Sequence, residues 1–274
     1  MISVVLATHN EEKNLKMCLS SVKDFADQIV IVDGESTDDT VKIAKHFSAE
    51  VISTTNKSNF HINKQLAMDK AKGDLILQLD ADEVVDEELK KFIIKTHSWV
   101  LEVKKTVGLS ASKRIENPSK VYLPSAWWIQ RKNCFLGKFL TKGGQYPDPV
   151  IRMYLYGQAK LPQKDVHEQM VVQGNISWAE GHLLHYSNPT FNDYVRKWNT
   201  YTSFRTEEFK AQKLQINFTE TLRFLFFKPV YTFSSLFIRH RGYVDGVSGF
   251  IFALMSGFHF AVAYLKYWEI IQKK

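Results

Sequence analysis

The chain has 274 residues, 45% of them hydrophobic, and a formal net charge of +7 at pH 7. This length and hydrophobic content support a buried core and exclude a disordered chain. The positive charge suits a polyanionic ligand, an anionic membrane or a nucleic acid, and carries no information about the fold. Two cysteines, Cys18 and Cys134, are too few for a disulfide framework, which favours a reducing, cytosolic setting. No basic segment precedes the first apolar run, so we expect no signal peptide.

Short apolar runs alternate with helical patterns through the N-terminal part of the chain. We predict strands at 2–6, 29–32, 51–52 and 75–79, with a helix between each pair of strands. Repeated strand–helix units favour a parallel sheet with right-handed crossovers, so the predicted fold class is α/β. Neither a dinucleotide-binding glycine motif nor a P-loop follows a predicted strand.

Polar side chains follow the first two predicted strands. The first strand is followed by Thr8-His9-Asn10-Glu11, and Asn10 is placed to cap the next helix. The second strand ends at Asp33-Gly34, and Thr37 or Asp38 can cap the helix after it. Asp33 lies at the tip of its strand, so we assign it to a ligand rather than to a cap.

The strand at 75–79 ends in clustered acids, Asp80-Ala81-Asp82-Glu83. Ligands of open α/β sheets bind at the carboxyl ends of the strands, and carboxylates are suitable ligands for a divalent cation that also contacts phosphates. An acidic turn leading into a helix near Asp86 is the simpler interpretation. Together with the polar residues of the first two strands, the acids favour a pocket for a nucleotide diphosphate.

These motifs, in this order and spacing, resemble family 2 glycosyltransferases of the GT-A fold. The resemblance implies a Rossmann-like, mostly parallel sheet, a nucleotide-sugar donor and a divalent metal, Mg²⁺ or Mn²⁺. It places Thr8, His9, Glu11 and Asp33 around the nucleobase, Asp80 at the ribose or metal, and Asp82 on the metal. Lys64 resembles a basic residue that the family often directs toward the nucleotide; a solvated lysine is the alternative. His9 and Ala7 depart from the tyrosine and proline that are common in the family.

Residues 99–188 are predicted to form the acceptor side. A set of residues here resembles enzymes that add a sugar, often glucose, to the lipopolysaccharide inner core; it includes Trp128, Arg131, Arg152, Val166-His167-Glu168 and Gly181-His182 to His185. The resemblance implies that Trp128, Arg131, Arg152 and His167 face the acceptor. Transfer to an alcohol needs a proton acceptor beside the attacking hydroxyl, and Glu168 is our candidate. His185 is a candidate late metal ligand, with a structural histidine as the alternative.

The C-terminal part, 189–274, is predicted to be helical and rich in aromatic residues with arginine and lysine at its flanks. The apolar run 247–262 falls short of the roughly 20 residues that a transmembrane helix needs, so we expect no spanning helix. Such helices suit either a membrane interface or a packing and homodimer surface.

Together these observations predict a cytosolic, metal-dependent inverting glycosyltransferase, peripheral on the inner face of the membrane. It would move a hexose, with glucose as the first candidate, from a UDP-sugar to a hydroxyl of a glycolipid, oligosaccharide or lipopolysaccharide core acceptor. The predicted parts are the nucleotide-sugar half at 1–98, the acceptor half at 99–188 and the helical extension at 189–274. A polyprenyl-phosphate sugar synthase is the nearest alternative, and a sugar nucleotidyltransferase is disfavoured because no glycine-rich loop follows strand one. A basic nucleic-acid-binding module is also disfavoured, because acids crowd the strand ends.

Overall fold

The computed structural model describes residues 1–57, 59–107, 123–162 and 169–273. They form two compact units. The first unit comprises 1–131 and 149–185, and the second comprises 132–148 and 186–274. The strands are β1 (Ile2–Thr8), β2 (Gln28–Gly34), β3 (Glu50–Thr54), β4 (Leu75–Leu79), β5 (Glu83–Val85), β6 (Ala126–Phe135), β7 (Lys138–Phe139), β8 (Asp148–Leu155), β9 (Ala159–Lys160), β10 (Val171–Val172) and β11 (Ile176–Asn188). The helices are α1 (Glu12–Val22), α2 (Thr40–His46), α3 (Phe60–Asp69), α4 (Glu87–Val107), α5 (Phe191–Ala211), α6 (Phe218–Leu222), α7 (Lys228–Ser234) and α8 (Gly246–Gln272).

Among the described residues the main sheet has the strand order β3-β2-β1-β4-β8-β6-β11-β5, with β7 paired to β6. The N-terminal strands are parallel: Val4 of β1 lies opposite Ile29 of β2 and Leu77 of β4. The later strands add antiparallel pairs, β4 with β8 and β11 with β5. The strand–helix order thus produces the predicted α/β fold with a parallel half, and the prediction of a C-terminal helical region is also confirmed.

Two hydrophobic clusters lie on the two faces of the parallel strands. Val4 and Leu6 belong to one cluster with Leu15 and Leu19 of α1, whereas Val5 belongs to the other with α3. Alternate residues of a strand point to opposite faces, so a strand covered on both sides is apolar at every position. All five residues of β4 are buried; four are apolar, and the fifth, Gln78, accepts a hydrogen bond from Arg152 Nη1.

The predicted cap at Asn10 is wrong. Helix α1 begins at Glu12, with Glu11 as its N-cap residue and no side-chain capping bond. Asn10 has a φ of 55°, a left-handed conformation that asparagine tolerates better than most residues, and its Oδ1 accepts a hydrogen bond from Thr37 N at 2.8 Å. The side chain therefore joins two loops at the sheet edge.

The first turns of α2 and α4 are held by acids, as the sequence suggested. Asp38 Oδ1 accepts a hydrogen bond from Thr40 N at 3.0 Å, but the N-cap residue of α2 is Asp39, so neither Thr37 nor Asp38 is the N-cap and Asp38 supports the first turn from the position before it. Asp86 Oδ1 accepts from Leu89 N at 2.8 Å at the start of α4. Each bond satisfies a backbone N–H group that the helix itself cannot pair.

The second unit is built on α5, α8 and the helical run 218–239, in which Arg223–Phe227 and Ser235–Arg239 have π-helical hydrogen bonding. Phe224 stacks on Tyr264 with ring centroids 5.3 Å apart. The helix Gly242–Gln272 has a mean hydropathy of 1.6 in its most apolar window and is long and apolar enough to cross a membrane by length and composition alone. The expectation of a run too short to span is wrong, because Ser256, Gly257 and His259 do not interrupt the helix.

Candidate active site

The carboxyl ends of β1 and β2 bring together two of the predicted nucleobase residues. Thr8 and Asp33 are opposite each other in the parallel register, and Thr8 Oγ1 donates to Asp33 Oδ1 at 3.2 Å. Both side chains are buried. Asp33 also accepts from Ser36 N at 2.9 Å and from Ser36 Oγ at 2.6 Å. The carboxylate is therefore fixed by three donors at the edge where ligands of such sheets bind.

The loop after β1 is tied to the loop after β2. His9 Nδ1 donates to Gly34 O at 2.6 Å, which leaves Nε2 as the acceptor for Asn10 Nδ2 at 3.2 Å. Glu11 N donates to Thr40 Oγ1 at 2.7 Å, and Glu11 Oε2 accepts from Asn14 Nδ2 at 2.8 Å. These bonds fix the backbone that carries the predicted residues His9 and Glu11.

Asp80 follows β4 and lies between two cations. Lys64 of α3 pairs with Oδ1, and Nη2 of Arg152 on β8 pairs with Oδ2. The two basic side chains are each only 11% exposed. Burial alone would raise the pKa of Asp80, but Arg152 and Lys64 outweigh it and hold that pKa well below the usual value. Lys64 is thus a buried ion-pair partner of the site, which excludes a solvated lysine.

A buried acid, Glu83, completes this cluster. Its side chain has no exposed surface and accepts from Arg152 Nη2 at 3.0 Å, from Arg131 Nη1 at 3.3 Å and from Asp80 N at 2.9 Å. The pKa of Arg152 is raised, because the attraction of Asp80 and Glu83 exceeds the opposing effect of burial. Arg152 Nε is buried without a hydrogen-bond partner among the described residues. Both arginines are among the predicted acceptor-side residues, whereas Glu83, their common partner, was not predicted as a site residue.

Asp82 and His185 come together although they are far apart in the sequence. Strand β11 pairs antiparallel with β5, with His185 opposite Glu83, and His185 Nε2 lies 3.4 Å from Asp82 Oδ2. Both side chains are partly exposed, at 17% for His185 and 20% for Asp82. A carboxylate and an imidazole at this separation can act as two ligands of one divalent cation.

A further group of potential ligands lies at the start of α4, where Asp86, Glu88 and His182 place ligand atoms within 4.8 Å of one another. His182 Nδ1 lies 3.2 Å from Asp86 Oδ2, while Asp86 Oδ1 caps the helix. Because both carboxylate oxygens of Asp86 have these structural partners, this group fits a metal less well than Asp82 and His185.

The predicted acceptor-side residues are only partly within the described chain. Glu168 and His167, together with Asp165, lie outside the described residues. Trp128 is half-buried, and its ring centroid lies 6.1 Å from that of Trp178, whose side chain is 54% exposed. Trp178 was not predicted; Ile176, Trp178 and Glu180 are alternate, exposed positions of β11, and this alternation is the signal that could have marked Trp178 as an exposed aromatic residue.

Comparisons with known proteins show what the chain is similar to. Residues 3–98 match the model of glycosyl transferase family 2. An uncharacterized glycosyltransferase of Rickettsia typhi is 28% identical over 262 residues, which cover 94% of this chain and 83% of the relative. Among solved structures, TarS 1–349 of S. aureus has a TM-score of 0.39 and 15% identity, covering 97% of this chain and 88% of that one. A glucosyl-3-phosphoglycerate synthase of Mycobacterium tuberculosis, in complex with Mn²⁺, UDP and glucosyl-3-phosphoglycerate, has a TM-score of 0.40 and 15% identity over 69% of this chain and 73% of its own. Residues 3–98 are thus similar to glycosyl transferase family 2, and most of the chain is similar to the Rickettsia glycosyltransferase.

Proposed function

We propose that the protein is a metal-dependent, inverting glycosyltransferase. It moves a hexose, with glucose as the first candidate, from a UDP-sugar to a hydroxyl of a glycolipid. A lipopolysaccharide core oligosaccharide is the acceptor that the sequence resemblance favours. The observation that carries the proposal is the pairing of Asp82 with His185 at 3.4 Å, beside an Asp80 carboxylate already held by two cations. The enzyme would work on the cytoplasmic side of the membrane.

The donor is bound by the carboxyl ends of the parallel strands. Thr8, His9, Glu11 and Asp33 surround the nucleobase, and the fixed Asp33 carboxylate supplies acceptor oxygens for its N–H groups. Asp80 takes the ribose hydroxyls at the edge of the site. Lys64 and Arg152 offset the charge of Asp80 and favour the approach of a diphosphate. Both cations are already buried in the protein, so binding the diphosphate does not add the free-energy cost of removing them from water.

Asp82 and His185 would hold the metal, with Asp80 as a neighbouring carboxylate rather than the main ligand. Carboxylate oxygens suit Mg²⁺ and Mn²⁺, and both ions accept diphosphate oxygens as further ligands. When bound, the metal would offset negative charge that develops on the departing UDP. Both Asp80 oxygens already pair with Lys64 and Arg152, which is why we place the metal on Asp82.

The transfer is a direct displacement at C1 of the sugar. Glu168 accepts the proton of the attacking hydroxyl, the new glycosidic bond forms as the bond to UDP breaks, and the configuration at C1 inverts. Trp128, Arg131, Arg152 and His167 face the acceptor in this proposal. The buried contacts of Arg131 and Arg152 with Glu83 give both side chains a fixed orientation.

The test is a donor screen by thermal stabilisation with Mn²⁺ or Mg²⁺. A UDP-hexose at 100 times its dissociation constant should add about 2.7 kcal/mol to the free energy of unfolding. Asp82→Asn removes charge at almost constant volume and should abolish the metal-dependent part of this effect. Asp86→Asn is the matched control, since asparagine also caps helices well. If no nucleotide sugar stabilises the protein, the donor assignment is wrong. If Asp86→Asn, but not Asp82→Asn, removes the metal-dependent effect, the metal lies at Asp86, Glu88 and His182 instead.

A further inference from the structure

The second unit exposes a large apolar surface on its helical hairpin. The hairpin consists of the run 223–239 and helix α8, which pack side by side. We call its exposed apolar residues the hairpin surface; they are Phe227, Val230, Tyr231, Ile238, Val247, Phe250, Phe258 and Leu265. Phe227, Tyr231 and Val247 are 69%, 70% and 75% exposed. Contiguous exposed patches of this kind mark interaction sites rather than ordinary surface.

The exposed residues form two helical stripes that are in contact. Residues 227, 230/231, 234 and 238 share one face of the first segment, and residues 247, 250, 254, 258 and 265 share one face of α8. Phe250 lies 5.6 Å from Phe233 and 5.6 Å from Phe237, ring centroid to ring centroid. Phe233 and Phe237 adjoin the first stripe in sequence, so these ring contacts place Phe250 of the second stripe beside the first segment.

Charged residues are missing from the stripes and gathered at the turn between them. No Asp, Glu, Lys or Arg occurs in 229–238 or in 246–265. Arg239 and Arg241 occupy the turn and are exposed, and Gly143 N donates to His240 O at 3.0 Å, which places exposed Lys142 beside it. In the part of the chain that the structure describes, Arg239, Arg241 and the Lys142 side chain form no ion pair. The turn therefore presents exposed basic side chains at the edge of an apolar surface, while the carboxylate of Asp245 in the same turn is buried.

We propose that the hairpin surface inserts into one leaflet of an anionic lipid bilayer, with Arg239, Arg241 and Lys142 on the headgroup phosphates. An apolar face joined to a cationic edge is the chemistry that such an interface recognises. A second copy of the chain fits less well, because the hairpin surface offers no carboxylate to these cations. The inference rests on the proposed function in one respect: a glycolipid acceptor lies in the membrane that the hairpin surface would bind.

Helix α8 does not leave its unit to cross the bilayer. Its other side carries the polar helix α5: Lys266 Nζ donates to Asn199 Oδ1 at 2.8 Å, and Trp198 Nε1 donates to Met255 O at 3.1 Å. The outer face of α5 exposes Arg196 and Glu207, at 74% and 63%. A spanning α8 would carry these charges into the hydrocarbon, at a high cost in free energy.

The test is flotation of the full chain with vesicles of phosphatidylcholine containing 30% phosphatidylglycerol, against pure phosphatidylcholine vesicles. We expect binding to the anionic vesicles that falls as salt rises. Phe227→Ser with Tyr231→Ser should weaken it about tenfold or more, because each aromatic side chain loses its apolar contact. The matched control is Tyr201→Ser with Phe204→Ser, which removes exposed aromatic residues of α5.

The basic edge is tested separately. Arg239→Gln with Arg241→Gln should weaken binding to anionic vesicles roughly 25-fold, at about fivefold for each arginine, and leave binding to neutral vesicles unchanged. Lys13→Gln with Lys16→Gln, on exposed positions of α1, is the charge-matched control. Asp82→Asn should float like the parent protein, so loss of donor binding and loss of lipid binding are distinguishable.

Three results would overturn the inference. One is an unaltered chain that does not float with anionic vesicles. Another is that light scattering shows a dimer, and that Phe227→Ser with Tyr231→Ser converts this dimer to a monomer but does not change lipid binding. The third is protein that resists alkaline extraction, which would show a spanning helix. If the aromatic variants do not fold, quenching of Trp268 by brominated lipids, compared with Trp268→Phe, reports insertion of the unaltered surface; no quenching would contradict it.

Discussion

At the scale of single residues, the site depends on how its charges are compensated. Asp80 is partly exposed and Glu83 is fully buried, and Arg152 contacts both of them while Lys64 and Arg131 each contact one. A buried ion pair contributes little net stability, but removal of one partner leaves a charge without compensation. The cluster therefore holds Asp80 in its ionised form and fixes the direction of its oxygens.

Replacing Arg152 should reveal this compensation. Arg152→Met keeps a long apolar stem but leaves Asp80 and Glu83 with one cation each, and we expect a loss of about 3–5 kcal/mol in the free energy of unfolding. Urea denaturation at pH 7 measures it. Adding Asp80→Asn to Arg152→Met should not recover the loss, since the buried Lys64 would then lose its carboxylate partner. A loss below about 1 kcal/mol in the single variant would show that water, rather than Arg152, compensates these acids.

Glu168 is the proposed base and lies outside the described residues, so its role depends on kinetics. Glu168→Gln should keep affinity for the UDP-sugar near the parental value and depress turnover about 100- to 10,000-fold, because an amide of similar shape cannot accept the proton. Asp165→Asn and Asp148→Asn are the comparison variants; Asp148 accepts from Asn133 Nδ2 at 2.9 Å, which suits a structural role. If Glu168→Gln stays active while one of these does not, the base is misassigned. If all remain active, a phosphate acceptor becomes the better interpretation, as in a polyprenyl-phosphate sugar synthase.

At the scale of elements, the start of β4 is anchored to α4 by one carboxylate. Asp74 pairs with Lys104 of α4 and accepts from the amino group of Met1 at 2.7 Å. Burial opposes ionisation, but these two cations lower the pKa of Asp74 from 3.8 to about 2. The contribution to stability is complete above the unfolded-state pKa near 4 and is lost as pH falls through 2.

Asp74→Asn should therefore lower the free energy of unfolding by about 2 kcal/mol at pH 7, since each pKa unit corresponds to about 1.4 kcal/mol. The difference from the parent protein should shrink between pH 4 and pH 2. Urea titrations across this range measure it. Asp39→Asn, which breaks the exposed pair with Lys42 at 3.6 Å, is the control and should change stability by less than about 0.5 kcal/mol. A loss at Asp74 that does not depend on pH would indicate packing rather than charge.

The sequence predicted the elements that local pattern determines. The apolar runs of β1, β2 and β4 mark the parallel sheet, and the positions that follow them mark the site, because strand ends and side-chain alternation are local properties. The pairing of Arg152 with Asp80 joins positions on β8 and β4, and no local pattern encodes a contact between side chains so distant in sequence. The left-handed φ of Asn10 was missed for a related reason: an asparagine before a helix is usually a cap, and here the neighbouring loop determined its conformation.

At the scale of the whole molecule, the chain divides into two compact units. The predicted extension at 189–274 lies within the second unit, and that unit also takes in 132–148 from the middle of the chain. Phe135 and Leu140 of this inserted hairpin pack in one cluster with Tyr194, Ile251 and Phe252. Asp245, which is buried, accepts from Thr141 N and from Lys142 N at 2.9 Å. The C-terminal helices and the segment 132–148 therefore share one hydrophobic core.

A chain ended at residue 188 should consequently be poorly soluble or unfold at a lower temperature. Phe135 and Leu140 are each 2% exposed, and removal of the helices returns both to water at about 1.5–3 kcal/mol per side chain, while Thr141 N and Lys142 N lose their acceptor. Thermal unfolding followed by circular dichroism measures the effect, with a chain ended at residue 272 as the control. The residues proposed for the donor, from Thr8 to Asp82 and His185, all belong to the first unit. If the shortened chain melts like the parent, the hairpin does not need the helices; if it also binds a UDP-sugar with parental affinity, the first unit alone suffices for the donor.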